Sequence, residues 1–114
     1  MAFVLDIEKI VNRKEPEYIW CDYDEDVGVE LKIMSMDDYA RIVNADGVLK
    51  QNIFREAIHN WKGFYDVEEK PLPVTSANID AIMNYFIKLA QWVDKQLLAL
   101  AEKAAYRKIE KIKN

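Results

Sequence analysis

The strongest constraint on the fold is an apolar stripe that runs through the last third of the chain. Apolar residues recur with helical spacing from Ile82 to Ala104, and others beside them widen the stripe. The pattern predicts one long helix over residues 77–108, with Thr75 or Ser76 as its N-cap. A stripe this wide should contact more than one neighbour, either other helices or a second subunit.

A β-hairpin is predicted near the N-terminus, over residues 18–34. Its second strand alternates apolar and other side chains from Val27 onward, and its first strand is rich in aromatic residues. The polar run at residues 24–26 forms the turn between them. Because a two-stranded hairpin is not stable alone, it should rest one face on helices or on the strands of a partner.

The remaining segments complete the predicted architecture. Residues 36–61 read as two helices, the first capped by Ser35 and the second ending at Trp61. Residues 62–76 form an acidic, proline-bearing loop, and residues 1–15 form an N-terminal arm or a short helix. We therefore expect a single domain over residues 1–114. Its class is α+β, mainly α, with the hairpin packed on three or more helices and a long C-terminal helix.

Composition and charge exclude several classes of function. The formal net charge of −4 argues against non-specific binding of nucleic acid. No apolar run approaches the roughly 20 residues of a membrane span, and the start of the chain lacks the features of a signal peptide. Cys21 is the single cysteine, which fits a reducing compartment. These features predict a cytoplasmic protein that binds neither nucleic acid nor a membrane.

No residue pattern in the chain indicates catalysis, a cofactor or a metal. The alternating acids Asp22, Asp24 and Asp26 resemble the start of a calcium loop, but the glycine and the final glutamate of that loop are missing. His59 and Cys21 are conceivable as a base and nucleophile, yet no nucleophile signature surrounds either residue. We expect a solvated turn, a surface or interface histidine and a small core cysteine. The chain should therefore have no small-molecule substrate and no cofactor.

Large aromatic side chains are the candidate contacts to a partner. Core packing explains most of them, but exposed tryptophan and tyrosine residues also anchor protein interfaces. The candidates for partner binding are Trp61, Phe64, Tyr65 and Trp92. Among these, we expect Trp61 in the core and either Phe64 or Tyr65 partly exposed.

The central part of the chain resembles the tail assembly chaperones of long-tailed phages and prophages. The resemblance centres on residues 53–83: a helix, then Trp61-Lys62-Gly63-Phe64, an acidic loop, Pro71-Leu72-Pro73 followed by a threonine or serine cap, and a long helix. The strand pair and the helix start at residues 35–39 also fit. In all, the resemblance covers roughly residues 18–100.

This resemblance implies a small α+β protein that coats the tape measure protein before the tail tube forms around it. Such proteins are not enzymes, have no cofactor and tend to self-associate. We therefore expect homo-oligomers formed through the hairpin edge, the last helix or both. The alternatives are another phage or prophage morphogenesis or interaction module without catalytic activity, and, as the weakest hypothesis, an enzyme.

Overall fold

The computed structural model describes residues 2–5, 7–8, 16–46 and 51–109. The helices and strands named below are, in chain order, β1 (Ala2–Leu5), β2 (Tyr18–Asp22), β3 (Gly28–Lys32), α1 (Met36–Asp46), α2 (Gln51–Ala57), β4 (Ile58–Lys62), α3 (Ser76–Tyr85), α4 (Ile87–Ala105) and β5 (Tyr106–Ile109). Helices account for more residues than strands. The predicted class, α+β and mainly α, is confirmed.

Strand β1 lies in the segment that we expected to be an arm or a short helix. It pairs antiparallel with β5, with Ala2 opposite Ile109 and Leu5 opposite Tyr106. The pairing joins positions more than 100 residues apart in sequence, so no local pattern could reveal it. Most of residues 1–15 and the expected helix-ending Gly47 lie outside the described residues.

The predicted hairpin is present, and a third strand joins it. Strand β3 lies in the centre of the sheet order β2-β3-β4, antiparallel to both neighbours. The expected second helix therefore ends at Ala57 rather than Trp61, because residues 58–62 form β4. Ile58 and Trp61 favour strands and bury their side chains on the core side of the sheet. A register shift beside Glu30 leaves His59 without a directly opposed residue.

The core lies between one face of this sheet and the helices. Val29 and Leu31 of β3, Ile53 of α2 and Val93 of α4 are fully buried. Burying each such side chain stabilises the fold by roughly 1.5–3 kcal/mol. The alternation of β3 predicted this face, since every second residue of a strand points to the same side.

The predicted long helix over residues 77–108 is two helices, and its expected last residues belong to strand β5, which begins at Tyr106. Helix α3 ends at Tyr85 and α4 begins at Ile87, because Phe86 has φ −101° and ψ 75°, outside the helical region. The Phe86 N–H still donates to the Ile82 carbonyl, and the Phe86 carbonyl accepts from the Ala90 N–H. Phe86 thus ends one helix and starts the next. A straight helix over residues 77–108 would be roughly 45 Å long, far more than this small sheet can cover. The break lets both halves pack on one core.

Side-chain caps and ties between helices hold this arrangement. The Ser35 hydroxyl accepts from the Asp38 N–H at 3.1 Å, and the Thr75 hydroxyl accepts from the Asn78 N–H at 3.2 Å, as both predicted caps require. The Tyr39 hydroxyl of α1 donates to Asp94 of α4 at 2.5 Å. These bonds set where α1 and α3 begin and how α1 lies against α4.

Candidate functional site

An apolar groove of about 520 Å³ opens where three segments of the fold meet. The turn between β2 and β3 forms one wall, the residues after β4 form the floor, and the start of α4 forms the opposite wall. The groove is lined by Tyr23, Val27, Gly63, Phe64, Phe86, Ile87, Lys88 and Leu89. Its volume lies within the range of ligand pockets in proteins.

The turn wall is held by hydrogen bonds to one aspartate. The Asp24 carboxylate accepts from the backbone N–H groups of Asp26 at 2.8 Å and Val27 at 2.7 Å. The Tyr23 N–H donates to the Val27 carbonyl at 2.8 Å, which closes the turn. The alternating acids are therefore a solvated hairpin turn, as expected. In the described part of the chain, no three His, Cys, Asp or Glu side chains are grouped to hold a metal ion.

The floor depends on a glycine with positive φ. Gly63 has φ 95°, and a Cβ placed there would overlap the Asp26 carbonyl oxygen and lie 2.8 Å from Val27 Cγ2. The backbone after β4 can therefore approach the turn this closely only without a side chain. Phe64 follows and places its ring on the groove.

Trp61 supports the floor from below. Its side chain is 8% exposed, and its indole N–H donates to the Leu72 carbonyl at 2.8 Å. The Trp61 ring contacts the Phe64 ring edge-on, with the centroids 5.4 Å apart. Trp61 thereby ties the acidic loop to β4 and fixes the position of Phe64.

The break between α3 and α4 makes the opposite wall unusually apolar for a surface. Tyr85 is 84% exposed, Phe86 57% and Ile87 64%. Single exposed apolar residues are common on protein surfaces and need no explanation. Three consecutive ones are typical of a surface that binds a partner. Leu89, the third residue of α4, is buried and joins this wall to the core.

The structure separates the four predicted partner-binding residues. Phe64 lines the groove, and Trp61 lies buried beneath it. Trp92 is half-buried and contacts Tyr23 edge-on, with the ring centroids 5.1 Å apart, so it supports the turn wall from α4. Tyr65 is exposed and lies outside the lining residues, where it forms an isolated bridge with Pro71.

Sequence reasoning missed Tyr23, Val27, Phe86 and Ile87 as groove residues. Phe86 and Ile87 belong to the predicted helical stripe, which was expected to contact other helices or a second subunit. The sequence signal for these two residues is the run of three large apolar residues at positions 85–87. A break in the helix at this point would expose their side chains. Tyr23 and Val27 carry no such signal, because only the fold brings the turn beside α4.

His59 and Cys21 lie on opposite faces of the sheet and cannot act together. The Cys21 position pairs with buried Val29, on the core face. The His59 ring stacks on Tyr18 of the outer face, with the centroids 4.1 Å apart. Burial raises the pKa of the Cys21 thiol, and the neighbouring Asp22 adds to this, so the thiol stays protonated and weakly reactive. The hypothesis of a His–Cys pair is wrong.

The outer strand β2 presents an open edge. Within the described residues it pairs only with β3. The Ile33 N–H donates to the Glu17 carbonyl, and the Tyr23 N–H to the Val27 carbonyl, so odd-numbered residues turn their backbone groups toward β3. Backbone groups alternate along a strand, and those of Tyr18 and Trp20 therefore point to the open edge. Such an edge can pair with another strand.

Comparisons with protein-family models, curated proteins and solved structures find no match to this chain. Separately, no helix in the described part of the chain is long and apolar enough to cross a membrane.

Proposed function

We propose that this chain is a tail assembly chaperone of a long-tailed phage or prophage. It binds the tape measure protein and keeps it soluble in the host cytoplasm during tail morphogenesis. The observation that carries the proposal is the apolar groove beside the exposed residues 85–87. In this proposal the chain makes or breaks no covalent bond, and it uses no cofactor, nucleic acid, membrane or small-molecule substrate.

The groove suits an apolar segment of another chain. Its floor and walls offer aromatic and aliphatic side chains, and the exposed apolar surface continues from Phe86 and Ile87 to Tyr85. An amphipathic helix laid into such a groove buries the side chains of one stripe while its polar side stays in water. A long helical protein awaiting assembly has stripes of this kind to cover, and a soluble coat would prevent them from aggregating.

The choice of partner rests on the sequence resemblance. The stretch from the end of α2 to α3 carries the tryptophan-glycine pair, the acidic loop, the Leu72-Pro73 step and the Thr75 cap that resemble the chaperone family. In the structure these residues form the groove floor, the loop tied to Trp61 and the start of α3. The resembling segment and the groove therefore share residues, which supports placing the binding function there.

Self-association of the chain is the second part of the proposal. The open edge of β2 offers the backbone groups of Tyr18 and Trp20, and a second copy can pair with it antiparallel through a two-fold axis. Several copies on one tape measure protein would bind with higher avidity than one copy. The last helix is the other expected interface.

Co-expression with a candidate tape measure protein tests the chaperone function. We expect the tape measure protein to appear in the soluble fraction with the chain and in the pellet without it. The double variant Phe86→Gln/Ile87→Gln should lose this effect, since both side chains are more than half exposed and their loss leaves the core intact. The matched control is Val67→Gln, which replaces a fully exposed apolar residue outside the groove lining.

An insoluble tape measure protein in the presence of the chain would refute the chaperone function. If the tape measure protein is equally soluble with the Phe86→Gln/Ile87→Gln variant, the groove is not its binding site.

Gene neighbourhood distinguishes the chaperone from the alternative, another phage or prophage morphogenesis module. A chaperone gene should lie between the gene for a major tail protein and a very long tape measure gene.

Light scattering at high concentration tests self-association. Trp20→Pro removes a backbone N–H that points away from β3, so it should abolish pairing between copies while leaving the ladder to β3 intact. Trp20→Thr removes the same indole but keeps that N–H, and it should still associate. A strict monomer of the unmodified chain, or a Trp20→Pro variant with the same oligomeric state as the unmodified chain, would contradict pairing at this edge.

A further inference from the structure

The two walls of the apolar groove differ in charge. The turn that contributes Tyr23 and Val27 to the lining also carries Asp24, Glu25 and Asp26 between them. The α4 wall carries a single charged residue, Lys88. The border of the groove is therefore acidic along the turn.

Within the described part of the chain, no ion pair neutralises the acids of the turn. The Asp24 carboxylate is occupied by backbone N–H groups of its own turn, and these do not remove its charge. No ion pair involves Glu25 or Asp26 among the described residues, whereas Asp22 at the end of β2 lies 3.7 Å from the Lys62 ammonium. Three exposed carboxylates on one short turn repel one another, and a cation from outside would relieve this repulsion.

The form of the groove indicates a polypeptide rather than a small molecule. Phe86 and Ile87 remain more than half exposed, so a small apolar ligand would stay largely in contact with water. The exposed apolar surface also extends to Tyr85, outside the lining residues. A helix presents side chains at positions i, i+3, i+4 and i+7 along one stripe and can cover the groove and this extension together.

We propose that the occupant of the groove is an amphipathic helix of the partner protein whose apolar stripe is bordered by lysine or arginine residues. The stripe packs on Phe64, Phe86 and Ile87, and the basic border faces Glu25 and Asp26. This inference rests on the proposed chaperone function and specifies the chemistry of the segment that is bound. The groove should bind a helix with basic residues beside its apolar stripe more tightly than a helix with the same apolar stripe and acidic residues beside it.

Two synthetic helical peptides of identical apolar stripe test the inference on the full chain. One carries lysine at every border position and the other carries glutamate, and each has a fluorescent label for anisotropy measurements. We expect the lysine peptide to bind at least about tenfold more tightly at low salt, as several exposed charge pairs together would produce. The ratio of the dissociation constants of the two peptides should fall toward one at about 1 M salt, where the Debye length is about 3 Å.

Matched variants distinguish the effect of the turn acids on peptide binding from the effect of the overall negative charge. Glu25→Gln/Asp26→Asn should remove most of the preference for the lysine peptide. Asp24 stays unchanged because its carboxylate holds the turn. The control Glu17→Gln/Asp37→Asn changes the net charge equally, away from the groove lining, and should keep the preference. Phe86→Gln should weaken the binding of both peptides, which places them in the groove.

Each other outcome overturns the inference. Equal affinities, tighter binding of the glutamate peptide, no binding of either peptide, or a preference that survives Glu25→Gln/Asp26→Asn would each do so. Concentration-dependent self-binding that competes with the peptide would instead identify the occupant as a segment of a second copy of this chain. The chaperone function has its own test, since a tape measure protein that becomes soluble without any charge preference supports that function and refutes this inference.

Discussion

Replacing Gly63 with alanine should destabilise the domain and disturb the groove together. Its φ of 95° costs an L-residue about 1–2 kcal/mol. The added Cβ would overlap the Asp26 carbonyl and meet Val27 at 2.8 Å, and moving the turn away costs about 1–2 kcal/mol more. We therefore expect Gly63→Ala to lower the free energy of unfolding by about 2–4 kcal/mol. A domain of this size is stable by about 5–15 kcal/mol, so the variant still folds.

Urea unfolding followed by tryptophan fluorescence measures this change, since Trp61 is buried two residues before Gly63. The midpoint should fall with an unchanged slope, and the melting temperature should fall by roughly 8–16 °C. Lys62→Ala is the control, because Lys62 is exposed and pairs with Gly28 in the ladder between β3 and β4. Because the turn must move, affinity for a groove-binding peptide should also fall. A loss below about 0.5 kcal/mol with unchanged peptide binding would refute the reasoning.

Three further predictions concern the elements around the groove. Glu69 has φ 62°, a backbone conformation that is strained for any residue except glycine. Glu69→Gly should therefore raise the free energy of unfolding by up to about 1 kcal/mol in urea titrations. A lower free energy of unfolding would contradict strain at this position. Thr75→Ala removes the N-cap of α3 and should cost about 1 kcal/mol by the same assay, whereas Thr75→Ser should cost little. Burial, with the hydrogen bond to Asp94 and its negative charge, raises the pKa of Tyr39 to about 12, above the ordinary value near 10. The contribution of Tyr39 to the free energy of unfolding should be fully present below pH 10 and be lost as the pH rises to 12. In Tyr39→Phe this loss should be absent, as urea titrations across that range would show.

The groove exists because two local irregularities of the chain meet. Gly63 lets the backbone after β4 approach the β2–β3 turn, and the break at Phe86 turns the start of α4 toward the same place. Neither irregularity would create a groove alone. A straight helix would carry Ile87 past the turn, and a side chain at position 63 would push the turn away. The binding surface is thus a product of the packing rather than of one motif.

Local chemistry in the sequence was sufficient for several parts of the fold. The alternation of Val29 and Leu31 predicted the buried face of β3, because side chains alternate sides along a strand. Ser35 and Thr75 predicted helix starts, because their hydroxyls accept the free N–H groups of a first turn. The polar run at residues 24–26 predicted the hairpin turn. Each of these signals is contained within a few neighbouring residues.

Only the tertiary structure decided the elements that depend on distant partners. Residues 58–62 carry an apolar pattern that fits a helix end, and they become a strand because β3 offers an edge to pair with. The stripe from Ile82 onward fits one helix, and it breaks at Phe86 because a small core can bury both halves only if the axis changes direction. Strand β1 pairs with β5 across the whole length of the chain. Long-range pairing and core size thus determined the groove, and neither is visible in a local pattern.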